Sequence, residues 1–261
     1  MSYVRLKHTL ARIALGALTN PHDALVAKLL SAYARRAGGR YDVPVAALVR
    51  GTGVAAGEAR GLLLETGLFD QAGGSETISL ETAYRPFIPY LRRQAARTVV
   101  AARLLESSSR PGISVEVERA AALFNAGLFF ECHEYLEDIW RATTDADRAF
   151  YHGLVQAAAG CYHLEKGNAH GARTLIQKAI AKLEPYAPVH ARIDISAFLT
   201  GLHRVLTALD AVSSLRAPER PALPTLPLVD GPPRSSRRRV GRCAPRGLTA
   251  SSGFDAPRPG G

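Results

Sequence analysis

Hydrophobic residues recur at helical spacing, three and four positions apart, through most of this chain. The longest such stretch runs from Val117 to Arg141 and predicts one long helix with an apolar face. Three more predicted helices follow it, at residues 148–166, 169–184 and about 194–212. Because short loops join them, neighbouring helices should lie antiparallel. The pattern therefore predicts an all-α protein with an antiparallel helical bundle at residues 113–212.

The region before the bundle, residues 1–106, is also predicted to be mostly helical, and a Ser/Pro/Gly stretch at 107–112 has the composition of a linker. Residues 25–85 follow the order helix, helix, turn, helix and short polar hairpin, which is typical of a winged helix-turn-helix. Between Arg40 and Arg85, however, four arginines stand against six acidic residues. A negatively charged segment binds phosphates poorly, so a structural or protein-contacting role is favoured and a DNA-binding regulator is a remote alternative.

Polar residues interrupt the apolar face of the first predicted bundle helix. An advance of about 100° per residue places His133 and Glu137 within that face, close to Trp140. The same geometry turns Glu131 and Glu134 toward water or the edge of the face. His133 and Glu137 are therefore predicted to point inward.

The second predicted bundle helix carries a matching polar stripe, formed by His152, Gln156 and His163 among small residues. Antiparallel helices joined by a short loop lie side by side, and small residues let the two backbones approach. A buried carboxylate without a partner costs several kcal/mol, so this stripe is expected to face His133 and Glu137. The prediction is a polar pocket between the two helices, in which Gln156, His152 and Trp140 contact a ligand.

The string H-E-x-x-E at residues 133–137 is similar to the zinc-protease string H-E-x-x-H, in which two histidines bind zinc and the glutamate is a general base. With Glu137 in place of the second histidine, His163 would supply a third ligand. A His133/Glu137/His163 set suits one zinc, manganese or iron ion. Glu134 is then the candidate catalytic base for water bound to that ion.

Two functions stay open on these residues. The favoured one is a hydrogen-bonded pocket that binds a small molecule or a protein partner. The alternative is a metal-dependent enzyme, in the first instance a hydrolase, that uses the H-E-x-x-E helix.

The segments FNAGLFFECHEYLEDIWR and FYHGLVQAAAGCYHLEKGNAHGA resemble a bacterial family, domain of unknown function 309 (DUF309), whose pattern reads F-N-x-G-x-F-F-E-x-H-E-x-L-E-x-x-W and continues through a Gln/His helix into G-N-x-x-G-A. The resemblance covers roughly residues 119–210. It implies a small all-helical bundle without an established activity. Five candidate residues stand on motif positions, and His152 departs from the pattern where a Gln or a similar residue is expected. The five are His133, Glu134, Glu137, Gln156 and His163.

The net charge of +10 lies mostly near the C-terminus. Residues 216–261 hold nine arginines, three acidic residues and nine of the sixteen prolines. Such a composition predicts a disordered Arg/Pro-rich tail. It favours a solvated extension over a nucleic-acid partner, which would be held only weakly and in a salt-sensitive way.

Composition also bears on location. No apolar run approaches the roughly 20 residues that cross a bilayer, and the N-terminal apolar stretch is shorter than that of a signal peptide. The three cysteines are odd in number and share no C-x-x-C spacing. We therefore expect a cytoplasmic protein without a membrane partner.

Overall fold

The computed structural model describes residues 2–70, 76–107, 112–212 and 222–229. Most of these residues are helical, which confirms the predicted all-α class. Ten α-helices lie within the described ranges: α1 (Ser2–Gly16), α2 (Pro21–Arg36), α3 (Val45–Leu48), α4 (Ala56–Glu65), α5 (Ile88–Glu106), α6 (Val115–Asn125), α7 (Phe129–Ala142), α8 (Arg148–Glu165), α9 (Ala169–Leu183) and α10 (Ile195–Val212). The short strands and 3₁₀ turns are β1 (Asp42–Pro44), β2 (Phe69–Asp70), β3 (Thr77–Leu80), β4 (Val189–His190), β5 (Ile193–Asp194), Thr82–Phe87 and Glu184–Tyr186.

The N-terminal helices surround a small antiparallel sheet in the order β1-β3-β2, with Val43 opposite Ile78. The elements from α2 to β3 run in the order α2, β1, α3, α4, β2 and β3, and β2 pairs with β3 antiparallel. Tyr33 of α2 ties the sheet to the helices, because its hydroxyl donates to the Tyr41 carbonyl at 2.6 Å and accepts from the Leu80 amide at 3.0 Å. Strand β1 has no counterpart in the predicted element order.

The bundle begins with two helices where the sequence predicts one. Helix α6 ends at Asn125 and α7 begins at Phe129, so the prediction of a single helix from Val117 to Arg141 is wrong. Gly127 between them has a φ of +77°, a left-handed conformation that terminates helices. Apolar periodicity continues across this turn, which is why the pattern hides it. The residues of the H-E-x-x-E string all lie in α7, so their angular relations are unaffected.

Two small residues on α8 allow a close approach of α9. A Cβ atom added at Gly160 would lie 2.7 Å from Ile176 Cγ1, and one added at Gly153 would lie 2.8 Å from Leu183 Cγ. Both neighbours belong to α9. Asn168 is the N-cap of α9, since its side chain accepts a hydrogen bond from the Gly171 amide.

The described helices bury two apolar clusters that meet at α1 and α5. One cluster fills the N-terminal region and includes Tyr33 and Leu91, while the other fills the bundle. Ala14 of α1 and Ala101 of α5 belong to the bundle cluster. Helix α5 packs against α2 and also against α6, and α1 contacts α7. One face of α7 is therefore covered by the N-terminal region.

Part of the predicted disordered tail is ordered. Residues 222–229 lie against the bundle, and Leu226 is buried. The expectation of disorder over 216–261 does not hold for these residues, and its remainder, like most of the predicted linker at 107–112, lies outside the described residues. Among the helices that are described, none is both long and apolar enough to cross a membrane.

Candidate functional site

Helix α7 brings His133, Glu134 and Glu137 together on one side. The His133 Nδ1 atom lies 3.2 Å from Glu134 Oε1, and His133 Nε2 lies 3.7 Å from Glu137 Oε2. One candidate ligand atom from each side chain falls within 4.8 Å of the other two. The side chains of His133 and Glu137 are 27% and 24% exposed, against 47% for Glu134. The group is therefore half-buried, with an open side.

A positively charged side chain, that of Arg141, lies at the edge of this group. The Arg141 guanidinium, one turn further along α7, pairs with Glu137 Oε1. Glu137 thus lies between an imidazole and a guanidinium on a single helix face. Any metal ion that binds Glu137 has to compete with Arg141 for the same carboxylate.

His163, the third metal ligand expected from the sequence, lies elsewhere. Its Nδ1 atom is 2.9 Å from Asn168 Nδ2, and the absence of a side chain at Gly171 leaves room for the ring. Helix α8 pairs with α7 so that Tyr162 contacts Phe130, about a turn away from His133. In the described part of the chain, the group of three potential ligands consists of His133, Glu134 and Glu137. The third member of the group is therefore Glu134, whereas the sequence predicted His163.

The predicted pocket residues do meet between α7 and α8. The Trp140 and His152 rings stack with centroids 4.5 Å apart and planes 26° apart. Gln156 Nε2 lies 3.2 Å from His152 Nε2, while Gln156 Oε1 is buried and has no hydrogen-bond partner among the described residues. Arg148 lies over the Trp140 ring at 5.1 Å. The Trp140 ring is therefore in contact with both His152 and Arg148, and the unpaired acceptor of Gln156 belongs to the same cluster.

The charge state of this cluster favours neutral histidine. Burial lowers the pKa of His152, and the nearby Lys182 and Arg148 lower it further. At neutral pH the ring therefore carries one proton, which lies on Nδ1 because Nε2 accepts from the Gln156 amide. Gln156 Oε1 is the acceptor of this cluster that has no partner among the described residues.

Glu131 is a residue of this region that the sequence did not predict to be buried. Its angular position on the predicted helix indicated a side chain that faces water, but Glu131 is completely buried, so that expectation is wrong. Gln94 of α5 donates a hydrogen bond to Glu131 Oε1 at 3.0 Å, and Glu131 Oε2 has no partner in the described ranges. The wheel failed because the N-terminal region contacts α7, through Gln94 at Glu131 and through α1. The one signal in the sequence was its place in the F-F-E-x-H-E motif.

Polar contacts surround Glu131 where the N-terminal region meets the bundle. Arg97 of α5 pairs with Glu165 of α8 at 2.7 Å. Lys166 donates to the Tyr3 hydroxyl at 2.6 Å and lies within 5.5 Å of three tyrosine rings. Burial raises the pKa of Tyr90, one of those three, and Glu131 raises it further. This interface is held by directional contacts as well as by apolar packing.

Comparison with known proteins agrees with the bundle assignment. Residues 117–175 match the family described as Domain of unknown function (DUF309). An uncharacterized protein of Aquifex aeolicus (strain VF5) is 27% identical over 106 residues, 39% of this chain and 30% of the relative. The uncharacterized protein YpuF of Bacillus subtilis (strain 168) is 30% identical over 92 residues, 34% of this chain and 53% of the relative.

The chain thus spans about a third of one relative and about half of the other. No solved structure gives a significant match. The matched family segment contains α7, α8 and each of the site residues expected from the sequence. The resemblance to DUF309 is therefore confirmed over residues 117–175.

Proposed function

We propose that the bundle is a metal-dependent binding module. In this proposal His133, Glu134 and Glu137 hold one divalent ion, and the ion binds an anionic small molecule or a carboxylate of a partner protein. The observation that carries the proposal is the spacing of the three side chains, whose candidate ligand atoms lie within 4.8 Å of one another. One imidazole and two carboxylates form a donor set that suits zinc, manganese or iron.

The exposure of the group supports binding from solution. Glu134 is 47% exposed, so the ion would keep a side that faces water. Three protein ligands leave at least one coordination position for an exogenous group. The ligand of the module would bind the ion at that position.

The geometry favours binding over hydrolysis. A metal hydrolase needs a general base beside the metal-bound water, and the candidate base from the sequence is Glu134. Here Glu134 lies within the group of potential ligands, where it would contact the ion and not the water. The hydrolase alternative requires Glu134 to leave the ion and act as the base.

The Trp140 and His152 stack extends the proposed site. Trp140 follows Glu137 by three residues on α7, which places it about 4.5 Å further along the helix axis. In this proposal a ligand coordinated at the ion extends toward the aromatic pair. We therefore expect a ligand that has an anionic group at one end and a planar part at the other.

We do not propose nucleic acid as a ligand of residues 25–85, which the sequence predicts to form a winged helix-turn-helix. Helix α4 stands where a DNA-reading helix would, but it exposes Glu58 and Glu65 and carries one basic residue, Arg60. Phosphate binding depends on basic side chains, so this surface is better suited to a protein contact.

The test is metal titration of the full-length, untagged chain. Metal-stripped protein is titrated with Zn²⁺, Mn²⁺ and Fe²⁺ against a chromophoric chelator, in parallel with His133→Ala, Glu137→Gln and the matched control His163→Ala. Wild type and His163→Ala should bind one ion alike. Loss of a direct ligand should weaken binding by more than the roughly 10–100-fold effect typical of changes in residues that only contact a ligand.

Arg141→Ala adds an independent readout, because it removes the competitor for Glu137 and should tighten metal binding. The proposal is wrong if wild type binds no ion stoichiometrically, or if His163→Ala loses the ion as His133→Ala does. Ester or phosphate hydrolysis that depends on the ion and is lost in Glu134→Gln would support the hydrolase alternative instead.

A further inference from the structure

The ordered part of the C-terminal region, residues 222–229, is held on the bundle through its main chain. The Asn125 side chain at the end of α6 donates to the Leu226 carbonyl at 3.0 Å and accepts from the Leu226 amide at 2.7 Å. One amide side chain thus satisfies both polar main-chain groups of one residue. Such a contact recognises a peptide backbone whatever its side chains are.

The same segment pairs with the edge of the β4–β5 hairpin. The Asp194 amide donates to the Pro227 carbonyl at 3.0 Å, and the Val229 amide donates to the Arg192 carbonyl at 2.9 Å. Leu228 forms an antiparallel bridge with Ile193. The segment is therefore added to the hairpin as a further strand, which is one of the general ways in which proteins bind extended peptides.

Two side chains anchor the segment. Leu226 is 1% exposed and belongs to the bundle cluster, while Pro224 is buried against Gly201, where an added Cβ atom would lie 2.9 Å from Pro224 Cβ. Leu223 is 40% exposed. The side-chain requirement of this surface is therefore a leucine preceded by a proline two positions earlier.

Space remains beside the segment. A cleft of about 320 Å³ lies between it and α6, lined among others by Glu118, Ala122 and Asn125. A second cleft of about 280 Å³ lies between it and α10, at Gly201 and Arg204. The segment fills the middle of a wider groove, so a peptide with larger flanking side chains would gain contacts that this segment does not make.

Part of the groove lies in the family segment. Asn125 lies within residues 117–175, which match the family model, whereas the β4–β5 hairpin, Gly201 and residues 222–229 lie outside it. The side chain that binds both main-chain groups of Leu226 thus belongs to the matched part of the chain.

We propose that this groove is a peptide-binding site, and that residues 222–229 are a ligand docked there by the chain itself. The partner that fits is an extended stretch of another protein with the pattern P-x-L, its leucine in the place of Leu226. This proposal concerns a surface different from the His133 group and does not depend on a metal ion. Because the segment is tethered through residues 213–221, its effective concentration is on the order of millimolar, so it keeps the groove closed to weak peptides.

Binding of a labelled peptide in trans tests the proposal with full-length protein. The probe is a fluorescent peptide of residues 221–230, followed by anisotropy. The host is the Leu226→Asp chain, in which a buried charge should release the segment. The matched control is Leu223→Asp, which places the same charge at the exposed leucine. The Leu226→Asp chain should bind the peptide at least about tenfold more tightly than wild type or Leu223→Asp.

Specificity is tested in the same assay. Asn125→Ala in the Leu226→Asp background should weaken peptide binding by about tenfold, since two hydrogen bonds are lost. A peptide with Leu226→Asp should not bind. The proposal fails if the Leu226→Asp chain binds no better than wild type, or if the altered peptide binds equally well.

Two further measurements keep the result interpretable. Circular dichroism and thermal melting check that Leu226→Asp is folded, and hydrogen exchange of the Asn125→Ala chain reports on the segment without any charge insertion. Faster exchange of the Leu226 and Val229 amides in Asn125→Ala would support the proposal that the two hydrogen bonds from Asn125 to Leu226 hold the segment. Unchanged exchange would contradict it. Sedimentation that gives a wild-type dimer and a Leu226→Asp monomer would show that a second copy donates the segment, which overturns docking by the chain itself.

Discussion

Gln94 of α5 donates a hydrogen bond of 3.0 Å to Glu131 of α7, and this contact joins the N-terminal region to the bundle. Gln94 is 5% exposed and Glu131 is fully buried. The second carboxylate oxygen has no partner among the described residues. An ionised carboxylate in such a place is poorly solvated. Burial therefore raises the pKa of Glu131, against the opposing hydrogen bonds from its own backbone and from Gln94.

This relationship predicts a pH-dependent stability that Glu131→Gln removes. A carboxyl group whose pKa is higher in the folded state binds a proton where the unfolded chain does not. The stability that such a group contributes is fully present below the ordinary carboxyl pKa, and it is lost as pH rises through the folded-state pKa. Wild type should lose up to about 1.4 kcal/mol of unfolding free energy per pH unit in that window, relative to Glu131→Gln.

Urea denaturation of wild type and Glu131→Gln at about pH 5 and about pH 8 measures this difference. Glu134→Gln is the matched control, because Glu134 is on the same helix and is 47% exposed. A difference between wild type and Glu131→Gln that does not change with pH would contradict the prediction.

The Arg97 and Glu165 pair predicts a measurable coupling across the same interface. Their side chains are 22% and 13% exposed, and Arg93 Nε also lies 3.5 Å from Glu165. In a double-mutant cycle with alanine, the Arg97–Glu165 coupling should be about 1 kcal/mol, above that of a fully exposed pair. Glu165→Ala should cost more than Arg97→Ala, because it leaves two arginines without their partner.

Salt is the discriminating variable for this pair. Raising the ionic strength to about 1 M should reduce the coupling only in part, since partly buried pairs are screened less than exposed ones. A coupling energy of zero at low salt would show that the contact adds nothing to the interface.

How far the sequence predicts this protein depends on what each residue contacts. Helices α8, α9 and α10 follow from apolar periodicity, and the Asn168 cap follows from local chemistry. The meeting of Trp140 and His152 follows from the antiparallel pairing of two adjacent helices. Each of these features is set by residues close in sequence or by neighbouring elements.

The features that the sequence did not predict depend on distant contacts. The burial of Glu131 depends on the N-terminal region, whose Gln94 contacts it, and a helical wheel contains no information about such a neighbour. The position of His163 depends on its fit beside Gly171 and Asn168. The order at Leu226 depends on a hydrogen-bonding partner, Asn125, that is 101 positions away, whereas composition alone suggests a disordered segment.

The contact of α8 with α9 predicts opposite effects of two glycine-to-alanine changes. Gly160→Ala should destabilise the protein by about 1–3 kcal/mol, because overpacking forces Ile176 to move. Its added methyl group would also lie 3.4 Å from the Ala172 carbonyl oxygen. Gly61→Ala in α4 meets nothing within 4 Å and should stabilise the protein by about 0.5–1 kcal/mol through helix propensity.

Thermal and urea unfolding of the two variants checks both signs. The two substitutions are chemically identical, so a general effect of alanine cannot explain opposite results. Equal stabilisation by both would mean that α8 and α9 are not packed as closely as the structure places them.

The buried thiols predict an inert native state. Cys132 and Cys161 are both 0% exposed, and Cys132 Sγ donates to the Ala120 carbonyl at 3.5 Å. Burial raises the pKa of Cys161 to about 12 and also raises that of Cys132. Because the thiolate is the reactive form, neither should react with a thiol reagent near neutral pH while the protein is folded.

The Cys243→Ser variant isolates these two thiols, because it removes the third cysteine, which lies outside the described residues. In Ellman's assay the folded variant should show no rapid reaction, and urea should release two thiols at the rate of unfolding. A Cys132→Ser/Cys243→Ser double variant should release one. A thiol that reacts on mixing with folded Cys243→Ser would place Cys132 or Cys161 at the surface, in conflict with the core in which α6, α7 and α8 enclose both.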